Sequence, residues 1–247
     1  NPGVPLVSAQ LVLASGANAN PATRPGLAHF TATMLDEGTR TRSSLQIADD
    51  AATLGATLST ASQSESTTVT TGALKKNFPQ ALGLLADVVR NPAFAEEEIA
   101  RQKKARTAAL AQQRENAQAT AAVVAKAALY GADHPLGHSE LGDETAIEAT
   151  TRDDLLAFWR ANYRPENAAL VLSGDLSLAE AQQLAELQFG NWKGEGAAAT
   201  ITLPPAKRTP APIVVVDKPG APQTALQVVS RAPTAKTPDA AAIEVMN

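Results

Sequence analysis

One histidine stands where its helical neighbours could complete a metal site. His29 opens the string His29-Phe30-Thr31-Ala32-Thr33, and helical spacing puts positions 29 and 33 on one face. A zinc hydrolase that reads His-x-x-Glu-His uses that face: two imidazoles hold the metal and the glutamate activates a water. Here the glutamate position is Ala32, which cannot take a proton, and the second histidine position is Thr33, a poor zinc ligand. The remaining inventory is short, with three histidines and no cysteine. That removes disulfide frameworks, cysteine nucleophiles, zinc fingers and iron–sulfur clusters. His134 and His138 bracket Pro135-Leu136-Gly137; proline and glycine oppose a helix, so this spacing predicts a turn rather than a metal pair. The hydroxyls around Ser64, Ser66, Thr67 and Thr68 have no histidine placed to activate them and read as strand faces. Arg101, Lys103, Lys104 and Arg106 follow the acids Glu96–Glu98, which predicts a solvated helix face rather than a phosphate site.

The elements that would position these residues can be traced along the chain. Val4 to Ala14 is an apolar run bounded by turn residues, a strand. Gly26 to Glu37 carries Leu27, Phe30, Met34 and Leu35 at helical spacing and stops at Gly38. Ser43 to Gln46 forms a capping box for a helix that ends at Gly55. Thr57 to Gln63 and Ser66 to Leu74 alternate as a hairpin. Asn77 can cap a helix from Phe78 to Arg90. Glu96 opens a long helix to Asn116, and Ala117 to Tyr130 continues as a second one. Thr151 caps a helix bearing Phe158 and Trp159, and the turn Asn162 to Asn167 leads to a buried strand ending at Gly174. Ser177 opens a helix to Phe189. Prolines 204, 205, 210 and 212 mark a stiff linker, after which Ile213–Val216 and Thr224–Ser230 restart as strands and a helix begins near Pro238. Strands in hairpins and helices in runs predict an α+β fold, an antiparallel-dominated sheet flanked by helices. Neither Rossmann nor P-loop glycine patterns follow a strand.

Composition narrows the function. The chain has 247 residues, 44% of them apolar, with a net charge of -4. That length suits one to two domains, and the acidic balance argues against nucleic-acid binding. No apolar run is long enough for a transmembrane helix. Both ends read as cut inside structured segments. The alanine-rich composition suggests a GC-rich bacterial source, with the periplasm placed ahead of the cytoplasm.

Four signposts occur in order. They are Pro25-Gly26-Leu27-Ala28-His29-Phe30 with Gly38-Thr39, then Asn91-Pro92 with Phe94 and the following acids, then His134-Pro135-Leu136-Gly137, and last Asn162-Tyr163-Arg164-Pro165-Glu166-Asn167 with Gly174-Asp175. In that combination the chain resembles the pitrilysin/insulinase family of zinc peptidases, in the branch of mitochondrial processing peptidase and its bacterial relatives. The resemblance implies a metalloprotease-type fold and, in active members, a third zinc ligand, a glutamate on a long helix. The matching position here is Ala109, and Glu115 falls on another face of that helix. The motif positions His29, Ala32, Thr33 and Ala109 are therefore degenerate, and no catalytic or metal ligand set is expected.

The resemblance further implies a clamshell of paired halves, one carrying zinc. This chain would be the non-catalytic half, walling the chamber and holding an extended peptide at the edge strands Thr57–Gln63 or Ser66–Leu74. Residues 1–203 would form the peptidase-like domain, 204–212 the linker and 213–247 the start of a second homologous domain. No cofactor is expected in this domain, and zinc is expected in the active half, which would be the partner. A non-enzymatic scaffold subunit and an independent peptide-binding module are the alternative readings.

Overall fold

The computed structural model describes residues 4–207, 213–221, 223–230, 233 and 237–246. Its centre is a four-stranded antiparallel sheet of β1 (Leu6–Leu13), β2 (Thr57–Ser62), β3 (Thr67–Leu74) and β4 (Ala168–Gly174), in the order β2-β3-β1-β4. The register sets Gln10 opposite both Thr70 and Val171, and Ser59 opposite Thr70. One face is largely apolar: Val7, Ala9, Leu11 and Leu13 alternate inward and are buried with Val69, while Thr67 and Thr71 are buried on the same side. Strand periodicity of two creates this division.

The described residues also form helices, several of which pack on that inner face. They are α1 (Leu27–Thr33), α2 (Ser44–Leu54), α3 (Phe78–Arg90), α4 (Glu96–Glu115), α5 (Ala117–Tyr130), α6 (Glu144–Ala149), α7 (Arg152–Asn162), α8 (Leu178–Phe189) and α9 (Ala240–Met246). The core joins Phe30, Met34 and Leu35 to Phe78, Leu82, Leu85, Val89 and Phe94, closed by Phe158, Trp159 and Tyr163. Trp159 gains a polar anchor as well, its indole N–H donating to Val89 O at 2.8 Å. Three capping boxes, at Ser43, Thr151 and Ser177, fix the starts of α2, α7 and α8, each satisfying two otherwise orphaned backbone donors.

Several sequence expectations need correction. The helix expected over Gly26–Glu37 is only Leu27–Thr33: Met34 N and Leu35 N bond back to Thr31 O and Ala32 O, a tightened turn that ends it. Asn77 makes no cap. Its amide donates instead to Leu54 O, tying α3 to the end of α2. The strand ending at Gly174 is an edge strand rather than a buried one; Val171 on its outer face is 53% exposed. Ile213–Val216 and Thr224–Ser230 form no strands. They line, with Val124 and Leu129 of α5, an apolar groove of about 780 Å³, with Val215 and Val228 facing solvent. Of the linker 204–212, positions 208–212 lie outside the described residues. The helix expected near Pro238 begins at Ala240.

Candidate functional site

The residues around His29 are brought together by a close backbone crossing. Gly26 and Gly142 both have a φ of +81°, and a Cβ on either would sit within 2.6 Å of the other strand's backbone. Only glycine combines that conformation with that approach. The crossing sets the carbonyls of Gly26 and Leu141 side by side, next to the first turn of α1. Asn20 caps the same turn, its side-chain oxygen accepting from Ala28 N at 2.7 Å.

Arg106, on α4, fills the space beneath. It is 4% exposed. One terminal nitrogen donates to His29 Nδ1 at 2.8 Å, and the other reaches Leu141 O at 2.9 Å and Gly26 O and Glu140 O at 3.3 Å. The guanidinium lies 4.7 Å from the centre of the Phe30 ring, a cation–π distance. Every acceptor it reaches is uncharged, and its Nε has none among the described residues. Burial without a carboxylate lowers its pKa to about 10, so the group stays charged. The expected solvated face over Arg101–Arg106 therefore fails at its last member. Arg101 does lie outward, paired with Glu37 and Glu98. Arg106 sits five residues on, about 140° round the helix, and points into the fold.

His29 is half-buried, and burial first and Arg106 second hold its pKa below the ordinary value, with Glu140 opposing. Thr33 spends its hydroxyl on His29 O at 2.8 Å. Ala32 is buried, and Ala109 is half-buried on α4. The zinc pattern thus retains one imidazole whose Nδ1 is already occupied. Among the described residues no three His, Cys, Asp or Glu side chains converge. The side chains present do not fit a zinc ion, and a charged guanidinium stands against the remaining histidine. Nothing in the sequence motif flagged Arg106; the only available signal was its spacing on α4 relative to Leu110, which is also buried.

The other histidines sit in the expected turn. Pro135–Gly137 is a single 3-10 turn. His134 Nδ1 accepts from Leu136 N, so its Nε2 carries the proton given to Pro204 O at 3.1 Å, and its ring stacks on Tyr130. Both edges of the hydroxyl-rich hairpin behave as strand faces: Thr67 donates to Ser15 O and Ser59 meets Thr70 at 2.9 Å.

Comparison with known proteins settles the family. Residues 1–141 match the model described as insulinase (peptidase family M16), and residues 149–247 match the model of the peptidase M16 inactive domain. The chain belongs to the M16 peptidase family. A protein named an uncharacterized zinc protease from Rickettsia bellii is 32% identical over 193 residues, covering 77% of this chain and 46% of that protein. The mitochondrial-processing peptidase subunit beta of Homo sapiens is 31% identical over 196 residues, covering 78% of this chain and 39% of its own length. Among solved structures, a peptidase M16 inactive domain from Pseudomonas fluorescens superposes with a TM-score of 0.76 at 28% identity, over 83% of this chain and 50% of that one. The M16 chain here therefore spans less than half the length of these two sequence relatives. No helix among the described residues is long and apolar enough to cross a membrane.

Proposed function

We propose that this chain is the non-catalytic half of an M16 metallopeptidase, closing a chamber and holding extended peptide for a partner half that carries zinc. The observation that carries the reading is the contact between Arg106 and His29. A site whose one histidine is engaged by a buried cation, with Ala32 and Thr33 in place of the base and second ligand, cannot activate a water on a metal.

The peptide-holding part is supported by the open face of the sheet. Ser8, Gln10, Val12, Ser59, Thr68, Thr70, Ala169, Val171 and Ser173 point outward, and none is charged. β2 has a neighbour on one side only, leaving a row of backbone donors and acceptors of the kind that receives a peptide strand. In this reading residues 213–247 open a second domain of the same kind, whose partner strands would cover the exposed valines of 213–229. Mixing the purified chain with zinc and a quenched-fluorescence peptide tests the proposal. The expected result is no hydrolysis by the chain alone and hydrolysis on adding the zinc-bearing subunit from the same source. Zinc-dependent turnover by the chain alone overturns it, and a stable pair without turnover moves the chain to a scaffold role.

A further inference from the structure

The state of the His29 ring follows from what touches it. A guanidinium has donors only, so the atom facing Arg106 at 2.8 Å must be an acceptor. Nδ1 therefore holds a lone pair, and in the neutral ring the proton resides on Nε2. The ring cannot ligate a cation through Nδ1, which is engaged, nor through Nε2, which is protonated. What it can do is donate. Nε2 makes no hydrogen bond to a described residue, and the ring is half-exposed.

We propose that Arg106 locks His29 as an Nε2–H donor, and that this N–H receives a backbone carbonyl oxygen of a peptide lying along the β2 edge. The ligand in this assignment rests on the chamber-wall reading above. Three observations support it. Helix α1 packs closely on β2, so a strand added to that edge passes the helix that carries His29. The charged groups near the ring are Arg106, which is buried and has no anionic partner among the acceptors it reaches, and Glu140, which is half-exposed and paired with Lys126 at 3.5 Å; neither offers a free anion to compete for Nε2–H. The side chain that follows on the same face, Thr33, has its hydroxyl proton engaged by its own helix, so among the described residues His29 is the side chain on that face left with a donor to offer. The adaptation turns a position suited to a metal ligand into one suited to a neutral carbonyl.

Two measurements test the two halves separately, on the 247-residue chain. Long-range 15N NMR of the imidazoles at neutral pH reads the tautomer. The expected pattern for His29 is unprotonated Nδ1 and protonated Nε2, becoming an averaged pattern in Arg106→Met; an Nδ1–H ring in the unsubstituted chain overturns the lock, whether or not the variant folds. Binding is read by fluorescence anisotropy with labelled, reduced and carboxymethylated α-lactalbumin as an extended probe. One lost hydrogen bond predicts binding about fivefold weaker in His29→Phe, with His29→Gln, which keeps an N–H, within about twofold of the unsubstituted chain. Equal binding by all three overturns the His29 assignment alone. No binding by the unsubstituted chain overturns the chamber-wall reading and the ligand with it, while the tautomer is still decided by NMR.

Discussion

The Arg106 guanidinium donates to His29 Nδ1 at 2.8 Å, joining α4 to α1 across 77 residues of chain. It also gathers three carbonyls from the Gly26–Leu141 crossing. A single side chain thus ties together two helices and a loop. Buried charges normally need a counter-ion; here uncharged oxygens, an imidazole lone pair and the Phe30 ring share the load. Arg106→Met should destabilise the chain by about 1–3 kcal/mol, since it leaves buried acceptors without donors. Arg106→Lys should not restore stability, because an ammonium cannot span acceptors arranged for a planar fork. Urea unfolding of the three proteins checks both; a lysine variant as stable as the parent would show that charge alone suffices.

The same contact makes stability depend on pH. Burial and Arg106 lower the folded pKa of His29, so the unfolded chain binds the proton more readily than the folded one. Stability from this group is complete above the unfolded value of about 6.5 and is lost as pH falls from there towards the lowered folded value. Unfolding midpoints measured from pH 8 to pH 5 should fall over the lower half of that range. The loss should be smaller in His29→Phe, and an identical decline in both proteins would assign it to other groups.

Rebuilding the metal site should need one more change than the motif suggests. Ala32→Glu, Thr33→His and Ala109→Glu restore the residue types of an active site, but with Arg106 present the new carboxylates have a buried cation beside them to pair with. Isothermal titration with zinc should detect no binding by the triple variant and stoichiometric binding once Arg106→Ala is added. Zinc uptake by the folded triple variant would mean that Arg106 does not block the site.

Sequence periodicity revealed the helices and the hairpin because burial imposes it: Phe30, Leu82 and Leu85 repeat at helical spacing and all three are in the core. The capping boxes at Ser43 and Ser177 and the cap at Thr151 were equally plain, since each is a local chemical pairing. The zinc motif was visible as a remnant because it too is local. What a linear reading could not supply were long-range effects. Arg106 looked like its exposed neighbours because its acceptors lie about 77 residues away on one side and about 35 on the other, at His29 and Leu141. The exposure of β4 depended on its place at the sheet edge, and the apolar run Ile213–Val216 read as a strand although it joins no sheet among the described residues.

The segment after α8 should act as a strap rather than a free linker. Arg164, 9% exposed, donates to Glu195 O and Gly196 O at 3.0 Å. A Cβ at Gly194 would fall 2.3 Å from the same guanidinium, so a larger residue there would have to push that side chain aside. Ala199 N bonds to Ala161 O, His134 holds Pro204 O, and Lys207 N bonds to Tyr130 O. Four attachments over so short a stretch hold the chain against α5 and α7. Their loss should raise local opening without unfolding the core, because Arg164 and His134 lie at its margin. Limited trypsinolysis at Lys193 and Lys207 should therefore be several-fold faster in Arg164→Ala, and faster again in the double variant with His134→Phe, while far-ultraviolet circular dichroism of the intact chain stays unchanged. Cleavage at the parental rate in the double variant would leave the strap to its backbone bonds alone, and a lost dichroism signal would place Arg164 in the core itself.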